Sequence, residues 1–214
     1  MGYVKIKYTK ICYACILFFG LVGFEITFEV MNSNEIPEEF YSFETNAPFD
    51  RCIECNKYLL EEGTEYLIEK ALKRYEGYEA KDVIFDYAIC LDCADKLRKE
   101  ISKESWKSMM DYFQNNLDIK ERLEMANQSP EENLKKCMIK KTSIKDCHEY
   151  QVFAHCNGSK LNMQNPPYMI SGEVMEELIP LLSESTIDEM NGFFNRHFSP
   201  DPSFFEPTPK LILV

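Results

Sequence analysis

The spacing of apolar positions changes character several times along this chain. An unbroken apolar run from Ile11 to Phe24 follows Lys5, Lys7 and Lys10. Glu25 and Glu29 stop it short of a membrane span. Residues 1–30 read as the basic and apolar regions of an export signal, although Phe24-Glu25-Ile26-Thr27-Phe28 offers no small-residue cleavage site. The other two readings are a retained anchor and sequence upstream of a cytosolic start at Met31. Residues 32–50 are acidic and aromatic, carry Pro37 and Pro48, and predict an irregular arm. Its Phe40-Tyr41-Ser42-Phe43 suits packing onto the domain that follows, or docking of a partner.

Thr64–Tyr75 supports two periods. Leu67, Ala71, Leu72 and Tyr75 fit a helix, whereas Tyr66, Ile68 and Leu72 fit a strand. Val83–Ile89 is β-branched and aromatic and predicts a strand. At Cys90 the period lengthens, with Ala94, Leu97 and Ile101 on one face and Lys96, Arg98 and Lys99 outside, as in a helix. Ser102–Ser105 bends or restarts it before Trp106, Met109, Met110 and Phe113, and Asn115-Asn116 ends it. A shorter helix covers Asp118–Ala126. The polar stretch Asn127–Glu132 marks a boundary, and Ser129-Pro130 opens the next helix.

Beyond it, Cys137–Ile144 and His148–His155 predict two strands, and the tight turn Asn157-Gly158 leads to a third at Ser159–Met163. Ser171 precedes a helix through Val174, Met175, Leu178 and Ile179 that Pro180 ends. Thr186-Ile187-Asp188-Glu189 is a capping box for a last helix through Met190, Phe193 and Phe194. Leu211–Val214 suits an edge strand. No internal repeat is visible. The expectation is an α+β chain in three pieces: residues 1–30, an α+β module over 31–126, and a hairpin-plus-helices module over 130–214.

Composition narrows function more than fold. Hydrophobic residues make up 45% and aromatic residues 13%, enough for a packed core. The net charge of −12 argues against phosphate-backbone binding, which needs a surplus of Lys and Arg on some face. Lys135-Lys136 and Lys140-Lys141 form a short cluster offset by acidic neighbours. A protein partner, basic at most, suits the charge better.

Nine cysteines cannot all pair internally, and six fall in three Cys-x-x-Cys pairs. That spacing belongs to metal or redox chemistry and favours a reducing, cytoplasmic setting, with export or anchoring through residues 1–30 as the alternative. Cys12 and Cys15 lie inside the apolar run and read as filling. Cys52, Cys55, Cys90 and Cys93 are different. One pair sits in the turn Arg51–Lys57, the other at a strand-to-helix junction, and four thiolates suit a structural zinc ion. Cys93 would feel the positive end of the helix. Arg51, Lys57, Lys96 and Arg98 are near enough in sequence to offset the charge of the thiolates.

The Cys52-Ile53-Glu54-Cys55-Asn56-Lys57 and Ala88-Ile89-Cys90-Leu91-Asp92-Cys93 segments, with a β segment between them, resemble the treble-clef class of zinc fingers over Arg51 to about Ile101. The spacer is longer than in compact members. The resemblance implies a fold and a structural metal, and leaves function open among protein docking, nucleic-acid binding and nuclease folds. A weaker cluster, Cys137, Cys147, His148, His155 and Cys156, could form a second metal site or a Cys–His pair if a hairpin set Cys137 opposite Cys156. Buried apolar cysteines are the plainer reading, and His197 stands alone. The function expected is a non-enzymatic zinc-stabilised module that binds a protein. The alternatives are a nucleic-acid-binding zinc finger, or a hydrolase or nuclease using the Cys137–Cys156 region.

Overall fold

The computed structural model describes residues 35–198, apart from 76, 78 and 79. The expectations for residues 1–30 and for the strand at 211–214 lie outside those residues. Strand β1 (Glu65–Arg74) settles the double reading of its sequence: it is a strand, and Tyr66–Ala71 are shielded on both faces. A central strand covered on both faces loses its alternation, so its apolar run imitates a helix. β2 (Lys81–Cys90) pairs antiparallel with one side of β1, from Tyr66 opposite Cys90 to Arg74 opposite Lys81, with a bulge at Ala71/Leu72. β3 (Glu149–Asn157) pairs antiparallel with the other side, from Glu65 opposite Asn157 to Lys73 opposite Glu149. β4 (Lys160–Leu161) and β5 (Tyr168–Ser171) then pair with β3 at its two ends.

The chain is therefore α+β as expected, built on one five-stranded antiparallel sheet. The strands on either side of the boundary predicted at 127–130 belong to this same sheet and to one continuous core. Ser129 does cap a short helix, but the segment it opens returns to pair with β1. Local patterning carries no record of such a distant pairing.

The strand predicted at Cys137–Ile144 is a tight turn. The N–H of Cys137 donates to Thr142 O at 2.8 Å and that of Lys141 to Cys137 O at 2.9 Å, while Lys141 takes φ 61. The predicted hairpin joining it to His148–His155 does not form. The tight turn after Asn157 does. Its Gly158 has φ 57, and a Cβ there would meet Glu61 O at 3.1 Å.

Helices α1 (Leu91–Glu100) and α2 (Lys103–Asn116) follow β2; α3 (Ile119–Glu124) and α4 (Pro130–Asn133) cross to the second half; α5 (Gly172–Leu178) and α6 (Glu184–Phe198) follow β5. α1 packs on β1 and β2, and α5 on β3 and β5. α6 sets Phe193, Phe194 and Phe198 against Phe85 and Tyr87. Its start is one residue after Ser183, earlier than the capping box predicts, because the Ser183 hydroxyl accepts the Thr186 N–H at 3.4 Å. On the opposite face the arm lies over β1, where Lys70 Nζ donates to Tyr41 O at 2.7 Å. Phe40 is fully buried, whereas Phe43 is 69% exposed. Among the described residues no helix is long and apolar enough to cross a membrane.

Two outcomes follow. Ile68 is fully buried on the central strand, so Ile68→Ala lowers unfolding free energy by about 2–5 kcal/mol in urea titrations. Glu121 of α3 is held below the usual carboxylate range by hydrogen bonds from Lys136, then Lys141. A lowered folded pKa contributes stability above the ordinary value near 4.5 and loses it as pH falls through the folded value. Glu121→Gln therefore shows a shallower loss of stability than the parent protein between neutral pH and about pH 3.

Candidate metal centre

The turn that carries the first cysteine pair is locked from inside. Cys52 N–H donates to Lys57 O and Asn56 N–H to Cys52 O, both at 2.9 Å, and Arg51 and Tyr58 close the turn as a β-bridge. Asn56 takes φ 58, a left-handed conformation that Asn tolerates better than most residues. The turn is then fixed to the end of β2, since Ile53 N–H donates to Ala88 O at 2.9 Å. That bond brings it beside Cys90, the last residue of β2, and Cys93, in the first turn of α1.

All four sulfurs lie within 4.8 Å of one another. Cys52, Cys90 and Cys93 are buried and Cys55 is exposed. The Cys55 and Cys90 sulfurs are 3.7 Å apart, far beyond a disulfide of about 2.05 Å. A tetrahedron with metal–sulfur bonds of about 2.3 Å has an edge of about 3.8 Å. The donor set and this spacing fit a tetrahedral thiophilic cation, so these four cysteines could hold a metal ion.

Electrostatics set the terms for that. Burial pushes the Cys90 thiol up, and burial together with the Cys55 and Cys90 sulfurs pushes Cys93 well above the ordinary thiol range. The helix start alone does not make Cys93 a thiolate. Burial also raises Cys55, but the backbone N–H of Lys57 and hydrogen bonds from Cys93, Cys52 and Cys90 outweigh it, leaving that thiol below its ordinary value. A dication is the charge that would deprotonate all four together.

Three of the four basic residues expected around the sulfurs make other contacts. Lys57 lies 3.9 Å from Asp92, Arg98 lies 3.3 Å from Asp95 and over Trp106, and Arg51 lies over Tyr58. Lys96 is exposed. Backbone N–H groups do more, with Cys90 N–H donating to Cys52 Sγ at 3.4 Å. Sequence reasoning also missed a contact made by α6. Glu54, between the first two cysteines, accepts from His197 Nε2 at 2.9 Å and from Arg196 at 3.0 Å. His197 therefore does not stand alone. Nothing local in the sequence links residues so far apart.

The second cluster does not converge. Cys137 Sγ accepts the Ser171 N–H at 3.3 Å, and Cys147 Sγ faces Ser143 O at 3.4 Å. Cys156 lies opposite Tyr66 and Leu161 in the sheet, not opposite Cys137. Burial pushes Cys147 to about 11 and Cys156 to about 12, away from the thiolate that a nucleophile needs. His155 turns toward Asn162, 3.5 Å away, and Glu65, 3.9 Å away. Compared with known proteins, the chain matches no family model, no curated protein and no solved structure.

Glu54→Ala frees the last turn of α6. Its amides near Arg196 and His197 exchange faster by hydrogen-exchange mass spectrometry, while global stability falls by no more than about 1 kcal/mol because the contact is partly exposed.

Proposed function

We propose that Cys52, Cys55, Cys90 and Cys93 hold one structural zinc ion in a module of treble-clef type over residues 51–101, and that the protein is a non-enzymatic module that binds another protein. The convergence of four sulfurs carries this reading. Thiolate ligands favour zinc over magnesium or calcium, and four of them fill a tetrahedron, leaving no open position for a substrate or water. The ion would supply a cross-link between the turn after Arg51 and the junction of β2 with α1.

The partner half of the reading rests on surface chemistry. The net charge of −12 suits a basic protein surface. Ile119 and Leu123, one helical turn apart on α3, are 62% and 49% exposed and give such a partner an apolar foothold.

Two measurements test the two halves. Protein purified without chelator carries close to one zinc per chain by elemental analysis, and Cys90→Ser with Cys93→Ser abolishes it. Zinc removal unfolds residues 51–101, because such sites contribute on the order of 10–16 kcal/mol. A preparation free of zinc would sink the metal reading. Affinity purification recovers a protein partner whose retention drops when Ile119 and Leu123 are both changed to Ser; equal retention removes that surface from the proposal.

A further inference from the structure

The second half of the chain follows the order of the first, turn, strand, strand, helix and helix, with the short strand β4 added, although no repeat is visible in the sequence. In the first half, Cys52 N–H donates to the carbonyl five residues on, and the residue four positions on, at φ 58, donates back to Cys52 O. Around Cys137 the same two bonds recur at 2.8 and 2.9 Å, with Lys141 at φ 61 in the place of Asn56. Lys136 and Ser143 close that turn as a bridge, as Arg51 and Tyr58 close the first. Ile53 N–H donates to Ala88 O at 2.9 Å, and Met138 N–H donates to Met169 O at 2.9 Å. Cys90 N–H donates to Cys52 Sγ at 3.4 Å, and Ser171 N–H to Cys137 Sγ at 3.3 Å. Cys90 and Ser171 both end a strand and both precede a helix.

The strands agree with the turns. Tyr66 lies opposite Cys90, and Tyr150 lies opposite Ser171. Aligned this way, Glu69 corresponds to Phe153, and those two residues are also partners across the β1–β3 pair. A two-fold axis through the centre of the sheet requires such a self-partnered position, and here it lies in the middle of both strands. The helix joints obey the same axis. Ser102 and Ser183 meet each other at 2.9 Å. Ser102 N–H donates to Thr186 Oγ1 at 3.0 Å, and reciprocally Ser183 N–H donates to Ser105 Oγ at 2.8 Å. A turn with one of these bonds is unremarkable by itself; the turn, strand register and helix joint agreeing on one axis are not.

We propose that residues 136–198 are a second copy of the unit formed by residues 51–116, and that Cys137, Lys140, Ser171 and Val174 occupy the positions equivalent to the four cysteines of the first copy, joining turn to helix without a ligand set. They stand where Cys52, Cys55, Cys90 and Cys93 stand in the first copy. The substitutions make chemical sense one by one. Cys137 keeps its sulfur, fully buried, and takes hydrogen bonds from the Ser171 N–H and from its hydroxyl at 3.4 Å. Val174 is fully buried and fills the place of Cys93 with apolar volume. Lys140 takes the place of Cys55, the exposed member of its set, and ties the turn to α5 through Glu177 and, at 3.9 Å, Glu173. Turn and helix are thus joined by hydrogen bonds, packing and an ion pair.

The test is to install the ligand set. K140C/S171C/V174C is produced in the full chain, refolded with Zn²⁺ or Co²⁺, and its metal counted by native mass spectrometry and by cobalt–thiolate absorption. One ion more per chain than the parent protein supports the proposal, including when the variant folds only with metal present. The comparison is with the parent: none becoming one would support this site while sinking zinc binding by the first four cysteines. Because Val174 lies in the core, K140C/S171C is measured alongside as a milder variant with three sulfurs, and it too takes up one additional Co²⁺. No additional ion in either variant overturns the proposal.

Discussion

The antiparallel pairing of β1 with β3 is the interaction on which everything else is arranged. Among the described residues it joins the two halves of the chain along a full strand length, and it places β1 at the centre of the sheet, where the arm and the helices cover both of its faces. Each strand of the pair carries its own neighbour, β2 or β5, and each neighbour hands the chain directly to a helix that packs back on the sheet. The serine and threonine joint at Ser102, Ser105, Ser183 and Thr186 closes the same arrangement at the helix level. Its hydroxyls satisfy the N–H groups that begin two helices, a need that would otherwise fall on water or cost free energy.

Within that frame the same mechanical problem is met twice. A tight turn has little apolar surface, and it must be kept against the start of a helix whose first N–H groups lack intrahelical acceptors. Around Cys52 the four sulfurs are gathered, burial pushes Cys90 and Cys93 upward, and Cys93 is raised further by the Cys55 and Cys90 sulfurs, an arrangement that favours a cation. Around Cys137 a single sulfur accepts two hydrogen bonds from Ser171, and packing and the ion pair of Lys140 with Glu177 complete the closure. A metal cross-link concentrates its stabilisation in one removable ion. The other closure spreads it over contacts that no chelator reaches.

How much of this was legible in the sequence depends on range. Strand β2, helices α1 and α2 with the Ser102 cap, and the gathering of Cys52, Cys55, Cys90 and Cys93 follow from local period and spacing. β1 was ambiguous because a strand covered on both faces has no alternation. The turn at Cys137 read as a strand because Met138 and Ile139 are apolar, and its stabilising bonds are backbone bonds that leave no trace in side-chain type. The stretch between 126 and 130 is polar and helix-starting, and it carries no sign of the pairing of β1 with β3 across it, because those partners are remote in sequence. The two-fold correspondence was hidden for a further reason. The identical pairs are scattered, Cys52 with Cys137, Tyr66 with Tyr150, Tyr87 with Tyr168, Ile89 with Ile170, Leu97 with Leu178, Ser102 with Ser183, Met109 with Met190 and Phe113 with Phe194, and the interval between equivalent positions slips where the hairpins differ in length.

The single exposed sulfur, Cys55, separates two properties that are easily conflated. Were a cation bound, the three buried sulfurs would set how tightly it is held at equilibrium, since their release would mean opening the packed junction of β2 with α1. The rate of exchange is governed elsewhere. An incoming thiol or electrophile would approach from the solvent side and meet Cys55 before the other three sulfurs, at a thiol held below its ordinary value. Such a centre can be thermodynamically strong and kinetically open, exchanging its ion by stepwise ligand substitution while the fold around it stays intact.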